Sequence, residues 1–191
     1  WSRYHDQIQG HMEWAREQET PVVLMGHSMG GNLALGYALT GRPAPDLLVL
    51  FAPALAGGAL WQRAVAGLAK RLAPTVALPA ALKGEQLSRD PAVGEAYFSD
   101  PLVFPKATNR LGASLFEAMD ELNDSLVDLT IPTLVLHGTA DTIVPPQSTA
   151  ALGELPNVER RLLPGLRHAI LNEPEGPELV QEVIAWIDSR M

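Results

Sequence analysis

Apolar positions follow two rhythms along this chain. Tyr4, Ile8, Met12 and Ala15 recur every three or four residues, the stripe of a helix laid on a core. Pro21 to Gly26 is instead a continuous apolar run, β-branched at its start and ended by glycine, which predicts a strand buried on both faces. Gly30 to Leu39 returns to helical spacing and is closed by Gly41 and Pro43. Asp46–Phe51 and Thr133–His137 predict two further buried strands, and the more polar Val158–Leu163 predicts one nearer an edge. Glu175–Ser189 is predicted as a helix with Leu179, Val183, Ile184, Trp186 and Ile187 on its buried face. Strands alternating with helices predict an α/β fold with a parallel sheet and helices on both faces.

The stretch from Pro53 to Thr130 breaks this alternation. Trp61, Val65, Leu68 and Leu72 mark one helix, stopped by Pro74, and a second runs from about Leu111 to Asn123. No strand-like run separates them. A structureless loop of this size is foreign to a compact domain, so the stretch reads as a mostly helical cap inserted before the strand that precedes Asp141. The expected division is core over 1–53, cap over 54–130 and core over 131–191.

Gly26-His27-Ser28-Met29-Gly30 matches G-x-S-x-G where a strand ends and a helix begins, the context of a nucleophile elbow. A serine there is held above the sheet edge in a strained turn, and side chains at Gly26 or Gly30 are expected to collide with the neighbouring strand or helix. The helix dipole and the Met29 N–H would face developing negative charge. A serine hydroxyl needs a base, and the base an orienting carboxylate. Asp141 follows the third core strand and His168 the fourth, so all three side chains are expected at one carboxyl edge of the sheet. His27 and His137 read as supporting or packing residues, and His5 and His11 as parts of the first helix. The five histidines show no metal-ligand spacing, and no cofactor is called for.

The 191 residues carry 14 Lys+Arg against 22 Asp+Glu, a net charge of −8, and no long basic cluster, which argues against a nucleic-acid partner. Cysteine is absent, so disulfides, thiolate metal sites and a cysteine nucleophile are excluded. No apolar run reaches the roughly 18 residues of a spanning helix, and no secretory leader opens the chain, which points to the cytoplasm.

The elbow with Gly31, together with Ala52-Pro53-Ala54-Leu55, Leu87-Ser88-Arg89-Asp90-Pro91, Asp100-Pro101-Leu102-Val103, Ile131 through Asp141 and Asn172-Glu173-Pro174-Glu175, resembles the monoacylglycerol lipase and lysophospholipase branch of the α/β-hydrolases, grouped with serine aminopeptidase-like enzymes. The resemblance implies Ser28 as nucleophile, Asp141 as orienting acid, His168 as general base, and the Met29 N–H as an oxyanion donor. It implies an acyl-enzyme route to hydrolysis of monoacylglycerol, lysophospholipid or similar short esters. His27, Leu55, Trp61 and Val144 are expected to contact substrate. The apolar helix around Trp61 would wall an acyl-chain pocket and bring the cap to a membrane or micelle surface, although the same stripe would equally serve to hold the cap on the main domain. Ala169 departs from the acidic residue that commonly follows the base in this branch. Such hydrolases also place about four strands before the elbow strand, with a loop carrying a second oxyanion amide. The chain therefore reads as the carboxyl-terminal two-thirds of a hydrolase, with no obligate protein partner unless one supplies those strands. An amidase or peptidase of the same fold, and a non-catalytic remnant, stay open as alternatives.

Overall fold

A computed structural model describes residues 1–80 and 82–191. In chain order the elements are α1 (Ser2–Arg16), β1 (Val23–His27), α2 (Met29–Ala38), β2 (Leu47–Phe51), α3 (Leu60–Leu72), β3 (Ala77–Pro79), α4 (Gly84–Leu87), α5 (Pro91–Ser99), β4 (Lys106–Thr108), α6 (Asn109–Ser125), β5 (Thr133–Gly138), β6 (Val158–Leu163) and α7 (Gly176–Asp188). The leucine- and valine-rich runs form one parallel sheet in the order β1-β2-β5-β6. Every residue of β2 and β5 is buried, as the unbroken apolar character of those strands requires. Successive side chains alternate between the two faces. Leu48 and Leu50 join Leu35, Leu122 and Leu152 on one side, while Val49 and Phe51 meet Leu134, Val183 and Trp186 on the other.

β1 departs from its expected burial on both faces. It lies at a sheet edge, with Val23 and Leu24 half-buried and Met25 48% exposed. Leu24 reaches the cluster of Met12, Val22 and Tyr37 under α1, and Val23 packs toward the α7 side, so one turn of the strand serves both layers.

The stretch between β2 and β5 also differs from expectation. It contains a two-stranded antiparallel ladder, β3 with β4, which closes the excursion carrying α4 and α5. Three-residue strands holding Pro79 and Lys106 leave no hydrophobic period to read. Within the same stretch α6 packs on the body of the molecule: Leu122 and the following Leu126 and Leu129 enter the core cluster with Leu35 and Leu50. Asn123 ties α6 to the chain after β2 by donating to the Leu55 carbonyl at 2.9 Å. By contrast α3 buries no residue and rests on α6 through Arg63–Asp120 at 2.9 Å and Lys70–Glu117 at 2.5 Å. Among the described residues no helix is long and apolar enough to cross a membrane.

Candidate active site

The turn from β1 into α2 holds Ser28 at φ 55°, ψ −121°, a left-handed conformation that costs a non-glycine residue about 1–3 kcal/mol. The surrounding backbone offsets this cost. Ser28 N–H donates to the Phe51 carbonyl at 3.0 Å, and the Ser28 carbonyl accepts from Asn32 N at 3.1 Å and Ala54 N at 2.9 Å. The buried Asn32 side chain donates to the Ala54 carbonyl at 2.8 Å and accepts from the Trp1 indole at 2.9 Å. Met29 is the first helical residue, so its N–H has no acceptor within the helix and is free to meet negative charge.

The glycines of the motif divide differently from the expectation. A Cβ on Gly26 would lie 2.4 Å from the Gly30 carbonyl oxygen, so this position is sterically closed. At Gly30 nothing stands within 4 Å of an added Cβ. The second closed position is Gly31, where a Cβ would meet that of Pro53 at 2.8 Å. The close approach is between α2 and the chain leaving β2, one residue later than the pattern suggests.

Asp141 and His168 meet as their loops require. His168 Nδ1 donates to Asp141 Oδ2 at 2.7 Å, and the Asp141 side chain is wholly buried. The other carboxylate oxygen accepts from Ile143 N at 2.8 Å and Val144 N at 2.9 Å. His137 also reaches Oδ2, its Nε2–H shared between that oxygen at 3.2 Å and the Val144 carbonyl at 3.0 Å. Burial pushes the Asp141 carboxyl upward, but hydrogen bonds from His137, His168 and Val144 prevail and hold it well below the usual carboxylate range. It is therefore ionised at neutral pH and fixes His168 with its proton on Nδ1, leaving Nε2 as the free acceptor. A Cβ on Gly138 would lie 2.2 Å from the Leu166 carbonyl oxygen, so this glycine lets the acid and base loops pack backbone to backbone. His27, next to Ser28 in sequence, joins the elbow to the base: its Nε2 contacts the His168 carbonyl at 3.0 Å, and the two rings lie 4.7 Å apart. No hydrogen bond joins Ser28 Oγ directly to His168 among the described residues.

The family described as serine aminopeptidase, S33, matches residues 1–175. The chain belongs to that family. The fold is shared with a monoacylglycerol lipase from Paleococcus ferrophilus, at a TM-score of 0.89 and 29% identity over 98% of this chain and 74% of that one. It is shared too with a monoglyceride lipase from Saccharomyces cerevisiae solved with a substrate analogue, at 0.86 and 20% identity, covering 100% and 68%. In sequence the chain is 32% identical over 181 residues to a monoacylglycerol lipase from Mycolicibacterium smegmatis, covering 90% of this chain. It spans 63% of that relative's length. The architecture is that of the α/β-hydrolases.

Within this S33 framework the four residues expected at substrate separate. His27 lines a cavity of about 530 Å³ together with Val93, Tyr97, Asp100 and Ala169, between the elbow and α5. Leu55 is instead fully buried in the core beneath α6, and the Val144 side chain is buried against Ala54 and Met119 while its backbone holds Asp141. Trp61 is 67% exposed on α3 and does not line that cavity. His137, expected as a supporting or packing residue, bonds Asp141 directly, while Glu173 carries no role legible in the sequence beyond its place in the Asn172–Glu175 motif. The signal available for His137 was its place four residues before Asp141, at the end of a buried strand.

Proposed function

We propose that the chain carries a serine carboxylester hydrolase site in which Ser28 is the nucleophile, His168 the general base and Asp141 its orienting acid. The observation that carries this reading is the elbow: a left-handed Ser28 beside His27, whose ring rests on an imidazole bonded at 2.7 Å to a buried carboxylate. In this mechanism Ser28 Oγ adds to an ester carbonyl while its proton passes to His168 Nε2. Asp141 stabilises the imidazolium, and the Met29 N–H donates to the oxyanion. The tetrahedral intermediate collapses with loss of the alcohol, which takes the proton from His168. Water, deprotonated by the same nitrogen, then attacks the acyl-enzyme and releases the carboxylic acid and Ser28.

Monoacylglycerol and related single-chain esters are the proposed substrates. The similarity to monoacylglycerol lipases supports this class, as does the mainly apolar wall that α5 contributes to the cavity. We propose that the cap meets a membrane or micelle surface through α3. Leu60, Trp61, Val65, Leu68 and Leu72 stand 58–85% exposed on that helix, too large an apolar patch for a surface that meets only water. The decisive test compares hydrolysis of a monoacylglycerol, a p-nitrophenyl ester and an aminoacyl amide, with fluorophosphonate labelling of the nucleophile. Ester turnover that Ser28→Ala abolishes, together with labelling at Ser28, is the expected result. Turnover of amides alone would replace the lipase reading by the aminopeptidase one, and an unlabelled Ser28 in folded protein would refute both.

A further inference from the structure

The Ser88-Arg89-Asp90-Pro91 stretch lies between α4 and α5, far from Ser28 in sequence, yet its contacts converge on the loop that bears His168. Three consecutive backbone N–H groups around the base are held from outside that loop's own turn. Arg167 N donates to Glu173 Oε1 at 2.7 Å, His168 N to the Gln86 carbonyl at 3.3 Å, and Ala169 N to the Leu87 carbonyl at 2.8 Å. Glu173 binds the two segments together. Its side chain is wholly buried, and Oε2 accepts from Arg89 N at 2.9 Å and Arg89 Nε at 3.1 Å and shares the Ser88 hydroxyl proton, at 3.1 Å, with the Asn172 carbonyl at 3.0 Å. From the other side, the Arg167 guanidinium donates to the carbonyls of Glu85 at 2.6 Å and Ser88 at 2.9 Å. Arg89 reaches further to Glu175.

We propose that Glu173, clasped by Ser88 and Arg89, is a positioning residue that sets the His168 imidazole against Asp141 by fixing the backbone on either side of it. The inference rests on the hydrolase reading for its kinetic consequence only. A buried carboxylate with four donors is expensive to desolvate and strongly directional once satisfied, so it defines one geometry rather than several. Burial pushes the Glu173 carboxyl up, but the donors outweigh it and hold the group below the usual carboxylate range, so it stays charged at neutral pH. The clasp also couples the base to α5, which begins at Pro91 directly after it and forms one wall of the cavity beside His27. Substrate pressing on α5 would thus bear on the same segment that holds the base.

Glu173→Gln tests this with the shape retained. The amide nitrogen, a donor, would face either Arg167 N, now met by Oε1, or the donors now met by Oε2, so the clasp loosens without a cavity in both orientations. In the folded variant kcat for p-nitrophenyl butyrate should fall about 10- to 100-fold with KM within about twofold, because alignment changes and binding does not. The low-field NMR proton of the His168 Nδ1–H···Asp141 bond should broaden, and the amides of residues 167–169 should exchange faster. Ser88→Ala removes one of the four donors and should show the same changes in smaller degree, which keeps the test open should the glutamine variant not fold. Variants with faster amide exchange but a wild-type low-field proton and wild-type kcat would overturn the proposal, leaving the clasp a purely structural tie. If the unaltered chain hydrolyses nothing, the hydrolase reading fails, while the low-field proton still decides the clasp.

Discussion

Replacing Gly26 by alanine separates what the elbow needs sterically from what its sequence pattern suggests. The new methyl would sit 2.4 Å from the Gly30 carbonyl oxygen, 2.7 Å from its carbonyl carbon and 2.8 Å from Gly31 Cα. All three are backbone atoms, so no side chain can swing away. Restoring ordinary contact needs a displacement of about 1 Å between β1 and α2, in an interior packed at crystal-like density. The expected loss is at or above the upper end of the roughly 1–3 kcal/mol that overpacking costs. Gly30→Ala is the paired control. Its methyl meets nothing within 4 Å, and it lies in α2, where alanine is favoured over glycine by about 0.5–1 kcal/mol. Urea unfolding of the two variants should therefore move in opposite directions, with fluorophosphonate labelling of Ser28 slowed in Gly26→Ala. Equal destabilisation at both positions would refute the steric argument and return the weight to the pattern.

Asp141→Asn keeps an acceptor for Ile143 and Val144 but turns an amide NH₂ toward the nitrogens of His137 and His168, forcing His168 into the wrong tautomer. Esterase kcat should fall by about 10⁴, as with the same change in other triads, and a loss below about tenfold would remove Asp141 from the role. Asp141 and Glu173 both titrate below the ordinary carboxylate value. Their stabilisation is therefore complete above the unfolded value of about 4 and is lost as pH falls through the lower folded values. The melting temperature should decline steeply only in that acidic window, and an Asp141→Asn, Glu173→Gln double variant should decline less. An identical slope in the double variant would contradict the assignment. Trp61→Ser with Leu68→Ser removes two exposed apolar side chains from α3, and vesicle co-sedimentation should weaken while hydrolysis of a soluble p-nitrophenyl ester is unchanged. A parallel loss of both would place these residues in the site rather than on a lipid-facing surface.

The sequence alone determined the alternation of strand and helix, because runs such as Leu47–Phe51 and Thr133–Gly138 have no soluble alternative to burial on both faces. It also marked Ser28, Asp141 and His168, since each chemical type sits directly after a recognisable strand. What it could not carry were distances between segments. That Gly31 rather than Gly30 is the closed position depends on where Pro53 passes, and a local pattern holds no record of that. That Leu55 and Val144 turn into the core depends on α6 lying over them. The pairing of β3 with β4, and the convergence of Ser88 and Arg89 on Glu173, join positions tens of residues apart whose one-dimensional surroundings are aperiodic. Hydrophobic periodicity is a local property fixed by backbone geometry. Which polar groups find one another is decided only when the packed sheet and helices bring their loops to the same edge.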